Sequence, residues 1–282
     1  MTQAIQKKLN DSAFARWTAL ILVALTMFFG YMFVDVLSPL QNMLESTRGW
    51  SPTIFGLYGG SEFILNVCGF LLVAGIILDK MGVRFTGILS ASLMVLGAGI
   101  KFYGLSNYFY EGGFGYEFLS SFLTDIPASA KLACLGFMVF GCGTEMAGVT
   151  VSRAIVKWFT GKELALAMGL EMAIARLGVF AVFSLSPWVA NWGGDPSVAR
   201  PVAVVGLLLC IGLLTYIAFS VMDFKLDRQT EADTPIGETE EPFKVADLKN
   251  LFSSKTFLIV SALCVLYYSA IFPFQRFATG ML

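Results

Sequence analysis

The chain contains no histidine in 282 residues, and only 14% of its residues are charged. The first absence removes the side chain that titrates nearest neutrality, so any proton handling falls to carboxylates. The second excludes an ordinary soluble domain, in which about a quarter of the residues carry charge. The five cysteines, Cys68, Cys134, Cys142, Cys210 and Cys264, all lie in apolar runs, without metal-ligand spacing or a disulfide framework, and read as small hydrophobes. There is no GxGxxG or phosphate-loop pattern, no nucleophile–base arrangement and no metal-ligand cluster, so nothing argues for an enzyme, a cofactor or a metal. The formal net charge of −1 gives no electrostatic reason for a nucleic-acid partner.

What the chain does contain is apolar sequence: 56% hydrophobic residues and a mean hydropathy of +0.73. A helix needs about 20 apolar residues to cross a bilayer. The sequence predicts an all-α transmembrane protein with helices at about 17–40, 53–78, 85–103, 132–159, 164–189 and 201–222. A polar linker at 223–250, holding Glu238, Glu240 and Glu241, precedes a seventh helix within 251–282, at about 256–272. A short surface helix is expected at 243–252. The polar start, with Lys7 and Lys8, is not a cleavable signal, because the first apolar run is long and has no small-residue cleavage site. An aromatic-rich segment at 106–130 is too polar to span and is expected to lie on the membrane surface or cap an entrance.

Two of these stretches organise the rest. Residues 132–159 and 164–189 are joined by the turn Thr160-Gly161-Lys162-Glu163. Glu145 in the first lies roughly 15 residues from that turn, and Arg176 in the second roughly 13; at about 1.5 Å per residue both reach mid-bilayer. A charge exposed to lipid there costs several kcal/mol, so each must face protein or water. Opposite charges at matched depth on adjoining antiparallel helices predict a pair, either a substrate or coupling site or a structural salt bridge. Glu62, roughly a third of the way along helix 2 beside Gly56, Gly59 and Gly60, is a second candidate, either lining a cavity or hydrogen-bonded within the bundle. Those glycines are expected to admit a close neighbour. Asp35 reads equally as a pore-mouth carboxylate or a wet helix end. Arg153 and Glu171 also share a depth, nearer the surface, and are expected to form a structural pair. In the last helix Tyr267, Tyr268 and Gln275, the latter at an expected break around Pro273, could line a cavity.

Basic residues favour one side. The N-terminus, the 2–3 turn, the 4–5 turn and the 6–7 linker hold eleven, among them Lys80, Arg84, Lys157 and Lys162, against Arg48, Lys131 and Arg200 in the opposite loops, with Lys101 and Arg276 near helix ends on that side. The positive-inside rule then puts the N-terminus in the cytoplasm. The expected setting is a bilayer, of the bacterial inner membrane, with a small molecule as partner, protons as a candidate coupling ion, and a monomer as the state of the full-length protein.

The turn between helices 2 and 3 reads Gly75-Ile76-Ile77-Leu78-Asp79-Lys80-Met81-Gly82-Val83-Arg84. It resembles the G-x-L-a-D-r-x-G-r-r signature that the major facilitator superfamily carries at this place. Gly75, Asp79, Lys80, Gly82 and Arg84 match; Ile77 replaces the leucine, and Val83 replaces the first of the two late basic residues. Gly75 is expected to allow tight packing there. Four further segments, Gly143-Thr144-Glu145, 158–165 (WFTGKELA), Arg176-Leu177-Gly178, and Tyr267-Tyr268 with Phe272-Pro273-Phe274-Gln275, are similar to the lysosomal dipeptide transporter branch and its bacterial relatives. The resemblance implies a six-plus-six helix fold working by alternating access, of which this chain would hold the first six helices and the seventh. It also implies that a helix-4 glutamate and a helix-5 arginine engage the termini of a dipeptide, roles that fall on Glu145 and Arg176. The competing expectations are a proton-coupled carrier of organic anions or sugars, titrating at Glu62, Glu145 or Asp35, and a non-transporting receptor or assembly protein on the same fold.

Overall fold

The computed structural model describes residues 8–231 and 252–281, which fall into two units divided near Thr234. All their long elements are helices, and no strand occurs among the described residues. Residues 1–7 and 232–251 lie outside the description, and with them Lys7, the acidic part of the expected linker and nearly all of the expected helix at 243–252.

The first helix, α1 (Ala13–Val34), starts where Ser12 accepts a hydrogen bond from the Ala15 N–H at 3.5 Å. It stops six residues short of the expected end. Pro39 has no N–H to give to the Asp35 carbonyl; the Ser38 N–H binds that carbonyl at 3.0 Å and the Ser38 hydroxyl binds the Asp35 carboxylate at 2.9 Å. Asp35 is therefore a buried helix end rather than a wet one. The following residues, expected as a loop, form α2 (Gln41–Arg48), closed by Gly49 at φ 69°.

Helix α3 (Pro52–Leu65) runs through a π-helical turn, Asn66–Phe70, into α4 (Leu71–Leu105). The helical stretch from Pro52 to Leu105 is 54 residues, too long for one crossing. It is folded back at Gly82, whose φ of 74° and ψ of 174° only glycine adopts readily. This is the motif turn, and the 83–105 arm is the third crossing. The aromatic segment that follows holds two short helices, α5 (Asn107–Tyr110) and α6 (Tyr116–Ser120). Then come α7 (Ala128–Phe159), α8 (Leu164–Ala190) and α9 (Ala199–Glu231). Five helical segments here are long and apolar enough to cross a membrane, one of them being the folded pair. Large apolar side chains such as Phe180 (74% exposed) and Leu207 (68%) point outward, as hydrocarbon solvent requires.

Small residues decide which helices touch. A Cβ on Gly97 would sit 2.5 Å from the Gly136 carbonyl, so the 83–105 arm and α7 lie backbone to backbone. A Cβ on Gly178 would sit 2.4 Å from the Phe28 carbonyl, so this glycine seats α8 on α1. The Thr26 hydroxyl binds the Gly212 carbonyl at 2.9 Å and ties α1 to α9. The turn partners α7 and α8 touch only sparsely, and each packs on other helices instead. Gly60 and Gly75 do not support the close packing expected of them: a Cβ at either would meet nothing within 4 Å.

The second unit is described by α10 (Lys255–Met281). It continues through Pro273, where the sequence predicts a break; membrane helices tolerate proline because the freed groups can be re-satisfied locally.

Candidate functional site

Tyr31 of α1 stands beside the mid-depth charge of α8. The Arg176 guanidinium lies 5.2 Å from the centre of its ring. Arg176, Glu145, Glu171 and Glu62 are all within electrostatic range of its hydroxyl. Glu62 and Glu171 are buried, Glu145 is half-buried and Arg176 is exposed. The four charges come from three helices, α3, α7 and α8, with α1 supplying the ring between them.

Backbone contacts set this arrangement. A Cβ on Gly141 would come 2.1 Å from the Glu62 carbonyl, so α7 carries its glycine where α3 carries its carboxylate. The Asn66 amide reaches both the Glu62 and Gly141 carbonyls at 3.3 Å and pins the two helices at the π-helical turn. On α8, Gly178 against Phe28 brings Arg176 beside the next turn of α1, where Tyr31 stands.

The expected Glu145–Arg176 salt bridge is not formed: no ion pair joins them among the described residues. Adjacency in sequence does not make α7 and α8 neighbours at mid-depth, since α8 packs on α1. Arg176 instead faces a ring, whose face attracts a cation. The structural pair also departs from expectation. Arg153 forms an ion pair with Asp79 of the motif turn, and none joins it to Glu171, which is within electrostatic range of Tyr31.

Sequence reasoning missed Lys101. It counted this residue as a charge near a helix end, yet the side chain is wholly buried. Its ammonium lies 4.3 Å from the Phe33 ring, 4.5 Å from Phe137 and 5.0 Å from Tyr58. Three rings from three helices can hold a desolvated cation by their π-faces. The sequence offered one partial signal, an aromatic residue at a similar distance from the end of each of three spans, Phe33, Tyr58 and Phe137. Only the fold brings them together.

At the face carrying the N-terminus, Asp79 and Arg153 pair beside Gly82, and Lys80 is exposed. Arg84 binds Asp227 at 3.2 Å and Asp223 at 3.9 Å. Lys157 binds the same two carboxylates at 2.5 and 2.8 Å, and the Trp158 indole donates to Asp223 at 2.9 Å. Asp223 and Asp227, one helical turn apart on α9, thereby fasten α9 to α7 and to the motif turn. Asp11 pairs with Lys162 at 3.0 Å and Arg16 with Glu163 at 3.1 Å, clasping the N-terminal segment to the α7–α8 turn. Hydrogen bonds from Lys162 and from the Lys8 backbone hold the Asp11 carboxyl below its usual range.

On α10, Tyr267 and Tyr268 are exposed, with ring centres 5.4 Å apart. The side chain of Gln275 lies outside the described residues.

The Major Facilitator Superfamily profile matches residues 20–281. The lysosomal dipeptide transporter MFSD1 of Pongo abelii is 27% identical over 271 residues, 92% of this chain and 52% of the relative. The MFSD1 proteins of Gallus gallus and Bos taurus are 35% and 34% identical over 145 and 147 residues, half of this chain and about a third of theirs. The chain thus spans about half, or less, of the length of the relatives it matches. No solved structure matches at a significant level. A helical bundle folded back at Gly82, with Asp79 engaged by Arg153 across that turn, and a profile match over nearly the whole chain give one conclusion: the protein is an integral, multi-pass membrane protein and belongs to the Major Facilitator Superfamily.

Proposed function

We propose that the bundle forms one wall of the binding site of a carrier for dipeptides or other small zwitterions. The observation that carries this reading is the Tyr31 group: Arg176 lies over the Tyr31 ring, Glu145 is within electrostatic range of it, and no ion pair joins the two charges to each other among the described residues. A zwitterion supplies the missing partners. Its ammonium would approach Glu145, and its carboxylate would take the planar fork of Arg176, which binds carboxylates bidentately. Glu62 is a third contact, at the ammonium end. The MFSD1 relatives, named as lysosomal dipeptide transporters, support the substrate class.

The cycle would be alternating access, with no covalent chemistry. The Asp79–Arg153 pair at the Gly82 turn would act as part of a gate on the N-terminal face. The excess of lysine and arginine on that face supports a cytoplasmic orientation for it.

Thermal stabilisation of the full-length protein by a panel of peptides, amino acids, sugars and organic anions tests the proposal. A ligand at about 100 times its Kd stabilises by about 2.7 kcal/mol. Peptides should raise the unfolding midpoint of the wild type, and Glu145→Gln and Arg176→Gln should each abolish that rise while remaining folded. Peptide stabilisation retained in both variants would refute the clamp. A response only to anions, growing as pH falls, would favour the second reading, a proton-coupled anion carrier. The three carboxylates that act on Tyr31 against one arginine are the observation on its side.

A further inference from the structure

A groove of about 750 Å³ lies between the 83–105 arm of α4, the start of α7 and the short helix α6. Its size is in the range of small-ligand sites. Leu96 and Gly99 form one wall, Leu135 the other, and Phe114 and Phe118 cover its end. Tyr103 lines it too, but its hydroxyl is already donated to the Phe114 carbonyl at 3.2 Å. The remaining lining offers no side-chain polar group, so water would find no partners there.

The walls are faces turned toward hydrocarbon, with Leu96 56% and Leu135 46% exposed. A Cβ on Gly99 would meet nothing within 4 Å, so no side chain fills the space at that point of the wall. The lining on α4 runs from Val95 to Tyr103, about 12 Å of helix axis. The hydrocarbon layer is about 30 Å thick, so the groove occupies a single leaflet, the one farther from the N-terminal face. A partner's transmembrane helix is about 10–12 Å wide and needs a seam through the whole layer. A flexible hydrocarbon chain needs neither. Lys131, one residue before the lining Leu132, sets an ammonium at the rim, bonded to the carbonyls of Leu119 and Phe122.

We propose that this groove is a binding site for an acyl chain of a bilayer phospholipid, lodged beneath α6 between α4 and α7. The chain would complete the packing that Gly99 leaves open and brace the far end of the third and fourth crossings.

Photo-crosslinking tests this in liposomes, with the full-length protein and a phosphatidylglycerol carrying a diazirine on one acyl chain. Label should concentrate on peptides covering 95–103, 114–119 and 132–135. Gly99→Leu fills the groove from one wall and Leu135→Trp from the other, so either variant stays informative if one fails to fold. Each should lower labelling of those peptides several-fold and leave the Leu207–Leu214 face of α9 unchanged. Label spread evenly over the lipid-facing helices would overturn the proposal. So would undiminished labelling in the folded variants.

Discussion

Asp223 offers the sharpest test of the contacts that close the N-terminal face. Its carboxylate is fully buried at the end of the last crossing of the bundle and meets Trp158, Lys157 and Arg84. Replacement by alanine removes all three contacts. Trp158 is 1% exposed, and leaving its indole N–H unsatisfied costs about 1–3 kcal/mol. The two cations lose less. Their side chains are 31% and 37% exposed and both keep Asp227, so each lost ion pair is worth about 0.2–1 kcal/mol. The sum predicts a loss of about 1.5–5 kcal/mol for Asp223→Ala. Asparagine keeps an acceptor for the indole and loses only the charge, so Asp223→Asn should cost about 0.5–2 kcal/mol. Tryptophan-emission unfolding in one detergent should therefore order the midpoints wild type, Asn, Ala. Equal losses in the two variants would show that the Trp158 bond contributes nothing. A wild-type midpoint in both would refute the network itself.

Two further outcomes follow from the same contacts. Lys101→Met keeps the volume inside the ring of Phe33, Tyr58 and Phe137, whereas Lys101→Ala leaves a hole; large-to-small changes of this kind cost about 2–5 kcal/mol, so the alanine variant should unfold well below the methionine one, and equal midpoints would contradict a packed cage. The proposed orientation predicts that an impermeant thiol reagent labels Ser120→Cys in intact cells but Thr160→Cys only after permeabilisation, with Cys68 and Cys264 replaced beforehand; the reverse pattern would invert the topology.

Composition by itself determined that this chain is helical and lives in a bilayer. A helix satisfies its own backbone groups, and long apolar segments have no other stable state in hydrocarbon. The motif turn was equally legible, because Gly82 must take a positive φ and Asp79 must find a cation at the surface, both local requirements. Which cation it finds was not local. Arg153 matches Glu171 in depth, but depth gives no azimuth, and the neighbours of a membrane helix are set by where small residues let backbones meet. The same limit hid the arrangement at mid-depth. Gly178 against Phe28 puts α8 on α1, so Tyr31 stands over Arg176 where the sequence placed Glu145. Asp223 and Asp227 read as the start of a polar linker, yet helix α9 continues to Glu231 because the cations that neutralise them come from Arg84 and Lys157, far away in the chain. Sequence shows which charges need a partner if they are buried; only tertiary packing decides which are buried and which groups are close enough to offset them.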